Sequence, residues 1–186
     1  MKKFLIIGSA NAITYKEIFP YIASGEWFIR SANGKISFVM CFTNGDGEFK
    51  KVTSVWYTNL DSRRLCKGLN LTKEYSPEEY PKYENYDAIE VGCIKDIPYD
   101  YDGVMGVPIS VLLYYLEGYE IIGCPDAAIV PEGWKGMSKE FVELYYAQGN
   151  TGQYQEGKRL ACFLTNEGIA KVPYKRILIK KKKEMT

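Results

Sequence analysis

The chain has 186 residues, 46% of them hydrophobic and 15% aromatic, which suits one globular domain with a sizeable core. Its formal net charge is only +1, so no global field draws it towards a polyanion, and the absence of His excludes Ser-His-Asp and Cys-His catalysis. The five Cys (Cys41, Cys66, Cys93, Cys124, Cys162) lie far apart with no Cys-x-x-Cys pair, which argues against a structural metal.

An odd number of Cys without a signal peptide points to reduced thiols in a cytoplasm. No segment approaches the ~18 apolar residues that a membrane span needs. Phe4 to Ile7 is a short continuous apolar run closed by Gly8, the pattern of a strand buried on both faces in a parallel sheet. Thr14 and Glu17 then have the spacing of a capping box, with Ile18 and Ile22 on an apolar stripe and Gly25 as the stop, which predicts a helix. A strand, turn and helix of this kind belong to an α/β domain. The segments Glu26 to Arg30, Lys35 to Phe42 and Lys51 to Thr58 are rich in β-branched and aromatic residues. Turn signals at Asn33-Gly34 and Asn44-Gly45-Asp46-Gly47 separate them, which predicts an antiparallel meander.

After Asp61 the regularity falls away. Tyr75 to Pro108 holds Pro77, Pro81, Pro98 and Pro108 among many Tyr and Asp, and is expected to be a long irregular excursion. Between Glu74 and Asp102, nine acidic residues face only Lys82 and Lys95, a local balance of −7 and a poor surface for phosphates. Ile109 to Leu116 reads as a short helix and Glu120 to Ile122 as a strand. Ser138 to Ala147 reads as a helix capped by Ser138 with Phe141, Leu144 and Tyr145 on one face, and Arg159 to Leu164 and Tyr174 to Ile179 as strands. The closing stretch reverses the charge through Lys171, Lys175, Arg176 and Lys180 to Lys183. Lys175, Arg176 and Lys180 are the candidates for phosphate contacts, unless the tail is simply solvated.

Several stretches carry more than periodicity or composition would generate. They are Lys3-Phe-Leu-Ile-Ile-Gly8, Asn11-Ala-Ile-Thr-Tyr-Lys-Glu-Ile-Phe-Pro20, Trp56-Tyr-Thr-Asn-Leu-Asp61, Tyr80-Pro-Lys-Tyr-Glu-Asn-Tyr-Asp-Ala-Ile89, Asp100-Tyr-Asp-Gly-Val-Met-Gly-Val-Pro108 and Tyr119-Glu-Ile-Ile-Gly-Cys124. In that order they resemble the EcoRI-type adenine-specific DNA methyltransferase family, over roughly Lys2 to Cys124 with a looser echo in Tyr174-Lys-Arg-Ile-Leu-Ile-Lys180.

The resemblance implies an α/β fold: an incomplete Rossmann-like methyltransferase sheet, meaning its last parallel strand plus the antiparallel meander, over residues 1–60. An irregular α+β target-side region with a basic end would follow over 61–186. It implies N6 methylation of adenine in double-stranded DNA with S-adenosylmethionine as donor. Such chemistry flips the base out of the duplex and grips its amine with an Asn-Pro-Pro-aromatic loop. No Asn or Asp precedes a Pro here, and no two prolines are adjacent, so no catalytic residue is assigned. Gly103-Val-Met-Gly106 and Gly45-Asp-Gly47 read as turns rather than cofactor loops, and Asp100 and Asp102 as turn formers. No cofactor is therefore expected on this chain alone, and a second chain carrying the cofactor-binding half is a possible partner.

Ligands of open α/β sheets bind beyond the carboxyl ends of strands, so Gly8 and Asn11 are substrate-side candidates, Asn11 having helix capping as its other reading. Asn59 and Asp61 join them through the resemblance. A rival reading keeps the family's surface as a non-enzymatic module that binds DNA or protein.

Overall fold

The computed structural model describes residues 2–30, 38–43, 49–61 and 67–182. The chain divides into two compact units, Met1–Leu69 with Ser110–Glu117 and Asn70–Ile109 with Gly118–Thr186. Both are mixed α/β and dominated by short strands.

The first unit opens with strand β1 (Leu5–Ser9), a 3-10 turn (Ala10–Thr14) and a one-turn helix α1 (Phe19–Ala23). The predicted capping box does not form. Thr14 instead donates its hydroxyl to the Asn11 carbonyl at 3.0 Å, and α1 starts after Ile18 with no side-chain cap. Pro20 explains the late start: with no N–H and a fixed φ it fits only the first turn of a helix and disfavours helical geometry before it. Gly25 ends the element with φ +76 as expected.

Strands β2 (Phe28–Arg30), β3 (Phe38–Thr43) and β4 (Phe49–Thr58) follow. β4 is the spine. β1 pairs antiparallel along one edge, from Leu5↔Thr58 to Ser9↔Ser54. β2 (Phe28↔Thr58) and β3 (Phe38↔Ser54 to Thr43↔Phe49) pair antiparallel as well. Ser54 therefore has Ser9 on one side and Phe38 on the other, so β3 lies on the edge opposite β1, in line with β2. This corrects the simple meander: β2 and β3 do not turn back on each other. The turn signals Asn33-Gly34 and Asn44-Gly45-Asp46-Gly47 lie outside the described residues.

β1, expected as a strand buried on both faces, is open within this chain. Among the described residues its only strand partner is β4, antiparallel, and Leu5, Ile6 and Ile7 are 51%, 53% and 46% exposed. The core of this unit includes Ile13, Phe19, Ile22, Ile29, Val55 and Tyr57, with Val111 and Leu112 from the second segment. A two-residue parallel pair joins β5 (Lys67–Gly68) to β8 (Tyr114–Tyr115). The helix predicted over Ile109–Leu116 is a 3-10 turn (Ile109–Leu113) that runs into β8. Its β-branched and aromatic residues lose side-chain freedom in an α-helix.

The second unit is built on a four-stranded sheet in the order β6 (Ala88–Glu90), β7 (Val104–Pro108), β12 (Arg176–Lys181), β9 (Tyr119–Gly123). β6 and β7 are parallel, and β12 is antiparallel to both its neighbours, with a register shift between Leu178 and Ile179. The stretch Tyr75–Pro108 is thus less irregular than predicted, since it supplies two strands and a 3-10 turn (Ile94–Asp96). Its tyrosines hold it down: Tyr80 and Tyr83 are buried.

Helix α2 (Lys139–Ala147) forms where predicted, with the Ser138 hydroxyl oxygen accepting from the Phe141 N–H at 3.1 Å, but Leu144, expected on the apolar face, is exposed. Phe141 packs with Met137, Cys162 and Ala170 in one cluster, while Tyr83, Ala88, Val104, Trp134, Ala161, Phe163 and Leu178 form another. A short hairpin of β10 (Phe163–Leu164) and β11 (Ala170–Lys171) leads into β12. The strand predicted over Arg159–Leu164 is thus confined to its last two residues.

Candidate functional site

The substrate-side candidates fall at the two ends of β1. Gly8 sits opposite Val55 under the ring of Tyr57, where an added Cβ would meet the ring at 3.1 Å. The Tyr57 hydroxyl donates to the Ser9 carbonyl at 2.7 Å, and burial raises its pKa well above the ordinary tyrosine value. Ser9, rather than Asn11, caps the 3-10 turn, its hydroxyl oxygen accepting the Asn11 N–H at 3.2 Å. Asn11 is exposed.

Asn59 and Asp61 lie past the other end. Asn59 accepts from the Phe4 N–H at 2.9 Å and donates to the Lys2 carbonyl at 2.8 Å, clamping the start of β1 onto the end of β4. Thr58 completes the clamp by donating to the Phe4 carbonyl at 2.6 Å. At ~3.3 Å per residue, the Gly8 end and the Asn59 end are roughly 13 Å apart. The structure does not bring these two pairs together.

The second unit holds the more developed constellation. Glu90, at the end of β6, is 6% exposed and would be costly to bury as a lone carboxylate. Arg176, at the start of β12, donates to it from Nε at 2.9 Å and from Nη2 at 2.5 Å, and Tyr83 donates its hydroxyl to Oε2 at 2.6 Å. Burial, then the neighbouring Glu90 charge, keeps the Tyr83 hydroxyl protonated far above the usual range. Arg176 is fixed on its other sides too: its backbone N–H donates to Asp126 Oδ2 at 3.2 Å and its Nη1 to the Tyr174 carbonyl at 2.6 Å. Burial raises the Asp126 pKa, and the Arg176 N–H and Lys175 oppose it.

Of the three predicted phosphate contacts, Arg176 therefore holds the fold together and has 12% of its side chain open to solvent. Lys180 is half-buried opposite Glu120 in the strand register. Lys175 stands at the surface turn with φ 29 and its ammonium 5.7 Å from the Tyr174 ring. Asp100 and Asp102 accept from partners distant in sequence, the Tyr75 N–H at 2.8 Å and Lys181 Nζ at 3.3 Å. Gly103 and Gly106 belong to the approach and body of β7, and no helix opens from them. Gly45 and Gly47 lie outside the described residues.

A groove of about 520 Å³ opens beside the Glu90–Arg176 pair, with Tyr145, Asn150, Lys171 and Pro173 along its walls. Sequence reasoning missed Tyr83 and Glu90 as members of a site. The available signal was Glu90 itself, a charge inside the apolar run Ala88-Ile-Glu-Val91. Among the described residues no group of three or more Cys, Asp or Glu could hold a metal ion, and no helix is long and apolar enough to cross a membrane.

Comparison with known proteins gives consistent matches. The chain is 41% identical to the Type II methyltransferase M.EcoRI of Escherichia coli over 138 residues, which is 65% of this chain and 42% of that protein. It is 34% identical over 141 residues to a Type II methyltransferase of Mycoplasma genitalium and 32% identical over 141 residues to the Type II methyltransferase M.MpnI of Mycoplasma pneumoniae. Each of these two matches covers 66% of this chain and 44% of the relative. The match thus spans less than half the length of these curated relatives. No solved structure matches. Residues 1–182, a longer stretch than the quoted segments suggested, match the family described as adenine-specific methyltransferase EcoRI, and the chain belongs to that family.

Proposed function

We propose that the chain is the C-terminal portion of an S-adenosylmethionine-dependent N6-adenine DNA methyltransferase of the restriction-modification type. Residues 1–60 supply the end of a Rossmann-like sheet and residues 61–186 a target-side region that contacts double-stranded DNA. The methyl donor and the amine-gripping loop belong to a cofactor-binding half, and this chain alone does not transfer methyl groups.

One observation carries the reading. The apolar runs Leu5-Ile6-Ile7 and Ile177-Leu178-Ile179 are nearly interchangeable as sequence. The second, flanked by strands on both sides, is 0% exposed throughout, whereas the first, paired on one side, is about half exposed at every residue. An isolated edge strand is normally protected by charge or covered. Three consecutive apolar residues open on both faces fit a strand whose other neighbour, and the layers packing on it, come from the remainder of a methyltransferase sheet. The lengths of the relatives agree, since more than half of each lies outside the match. In this arrangement Gly8 and Asn11, at the carboxyl end of β1, edge the composite site, and Asn59 holds the strand that presents them.

The test is transfer of labelled methyl from S-adenosylmethionine to adenine N6 in duplex DNA. It uses the chain alone and the chain mixed with the cofactor-binding half of a relative such as M.EcoRI. Label is expected only in the mixture. Transfer by the chain alone would refute its inactivity, and a mixture that never forms a complex would refute the composite sheet.

A further inference from the structure

We infer that Tyr174 is a stacking residue for a nucleobase, presented on a turn that the buried Glu90–Arg176 pair braces, with Lys175 as its adjoining phosphate contact; this rests on the DNA-directed reading above. At 73% exposure Tyr174 is the most solvent-open large apolar side chain among the described residues. An aromatic ring left in water is ordinarily mobile, but the backbone beneath this one is pinned. The Tyr174 carbonyl accepts from Arg176 Nη1 at 2.6 Å, the Lys175 carbonyl accepts from the Ile109 N–H at 3.2 Å, and the Arg176 N–H donates to Asp126.

Lys175, between them, is held at φ 29, a left-handed conformation that residues with a Cβ rarely adopt. Strain of this kind persists where the surroundings over-determine it and concentrates at sites of function. Arg176 supplies that over-determination because Glu90 fixes the rest of its guanidinium. A buried ion pair is weak evidence for stability in itself, and here its geometric product is a fixed backbone that presents an exposed tyrosine.

The neighbouring charge indicates what the ring meets. The Lys175 ammonium lies 5.7 Å from the ring centroid, within cation–π reach. With the ammonium over one face of the ring, the other face is left for an unstacked base, and the same cation can turn to the backbone phosphate, the combination used on single strands. Enzymes that act on an extruded base leave a gap in the stack, and wedges of this type fill such gaps.

The experiment measures binding of the full chain to a duplex that carries 2-aminopurine, by anisotropy over a salt series and by 2-aminopurine fluorescence. Tyr174→Ala is expected to weaken binding about 5- to 100-fold and to abolish the fluorescence rise that reports unstacking. It should leave the salt slope unchanged, and Tyr174→Phe should restore affinity. Lys175→Ala is expected to reduce the salt slope by about 1. If the chain binds DNA and Tyr174→Ala binds equally well, the stacking role is overturned while the DNA-directed reading stands. A Tyr174→Ala variant that loses salt slope together with affinity would show the ring to be a mere prop for Lys175, which also overturns stacking. Absence of DNA binding, with or without the cofactor-binding half, overturns both.

Discussion

A carboxylate inside a protein keeps its charge only where donors replace the water it has lost, and Glu90 has such donors in Arg176 and Tyr83. The arrangement is asymmetric in its energetics. Replacing both charges by well-packed apolar groups can be neutral, whereas deleting one leaves the other buried and unpaired, at a cost of about 3–5 kcal/mol. Arg176→Ala is therefore expected to lower the unfolding free energy of the second unit, measured by urea titration, by an amount in that range, with little relief from added salt because the pair is 6% and 12% exposed. Glu90→Gln with Arg176→Met should recover much of the loss. A single variant as stable as the wild type would show that the pair contributes nothing. This residue also shows what a sequence hides. In the sequence Arg176 belongs to a basic stretch that suggests phosphate contacts, whereas its carboxylate partner is 86 positions away. No local pattern distinguishes a cation bound for DNA from one bound for a buried carboxylate.

Elements were legible where their determinants are local. Helix α2 is specified by a Ser at the cap and apolar spacing within nine residues, and it forms within one residue of its predicted start. The helix expected after Gly8 forms but starts late on an equally local rule, since Pro20 outweighs the capping spacing of Thr14 and Glu17. β1 is a strand as expected, but within this chain it is open rather than buried. Burial belongs to whatever lies alongside a strand, and a run such as Leu5-Ile6-Ile7 carries no record of whether its second neighbour is present. An open apolar edge has a consequence for this chain by itself. The isolated chain should self-associate through β1 at micromolar concentrations, because unpaired N–H and C=O groups and apolar side chains are presented together. Ile6→Lys places a charge on that edge without touching a buried side chain, Ile6 being 53% exposed. Light scattering is expected to show a fall towards the monomer mass in this variant with no loss of thermal stability. Equal, monomeric masses for both proteins would remove the edge as an association surface.

Among the described residues the ionisable groups leave a wide neutral plateau and a steep alkaline limb. The chain contains no His, so no side chain of ordinary pKa changes charge between about pH 6 and 8. Alkali acts differently. Burial pushes the Cys124 and Cys162 thiols from an ordinary value of 9.0 up to about 12, and burial likewise raises the Tyr57 and Tyr83 hydroxyls above their ordinary 10.0. In each case the folded state retains a proton that the unfolded state releases. Above the unfolded pKa the unfolded chain therefore binds fewer protons, and stability falls as pH rises. The contribution is intact below pH 9, begins to fail as the thiols of the unfolded chain ionise, and steepens past pH 10 when the tyrosines join. Each fully engaged group adds a slope of about 1.4 kcal/mol per pH unit. Tyr57 lies in the first unit and Tyr83 in the second, so both units should weaken in the same window. Urea midpoints measured from pH 6 to 11 are expected to stay level to about pH 8.5 and then drop progressively. Cys124→Ala and Cys162→Ala should flatten the part of the limb below pH 10 and leave the tyrosine part in place. A midpoint that holds level to pH 11 would mean that these four groups reach water in the folded chain, and the packing assigned to Tyr83 beside Glu90 would fail with it.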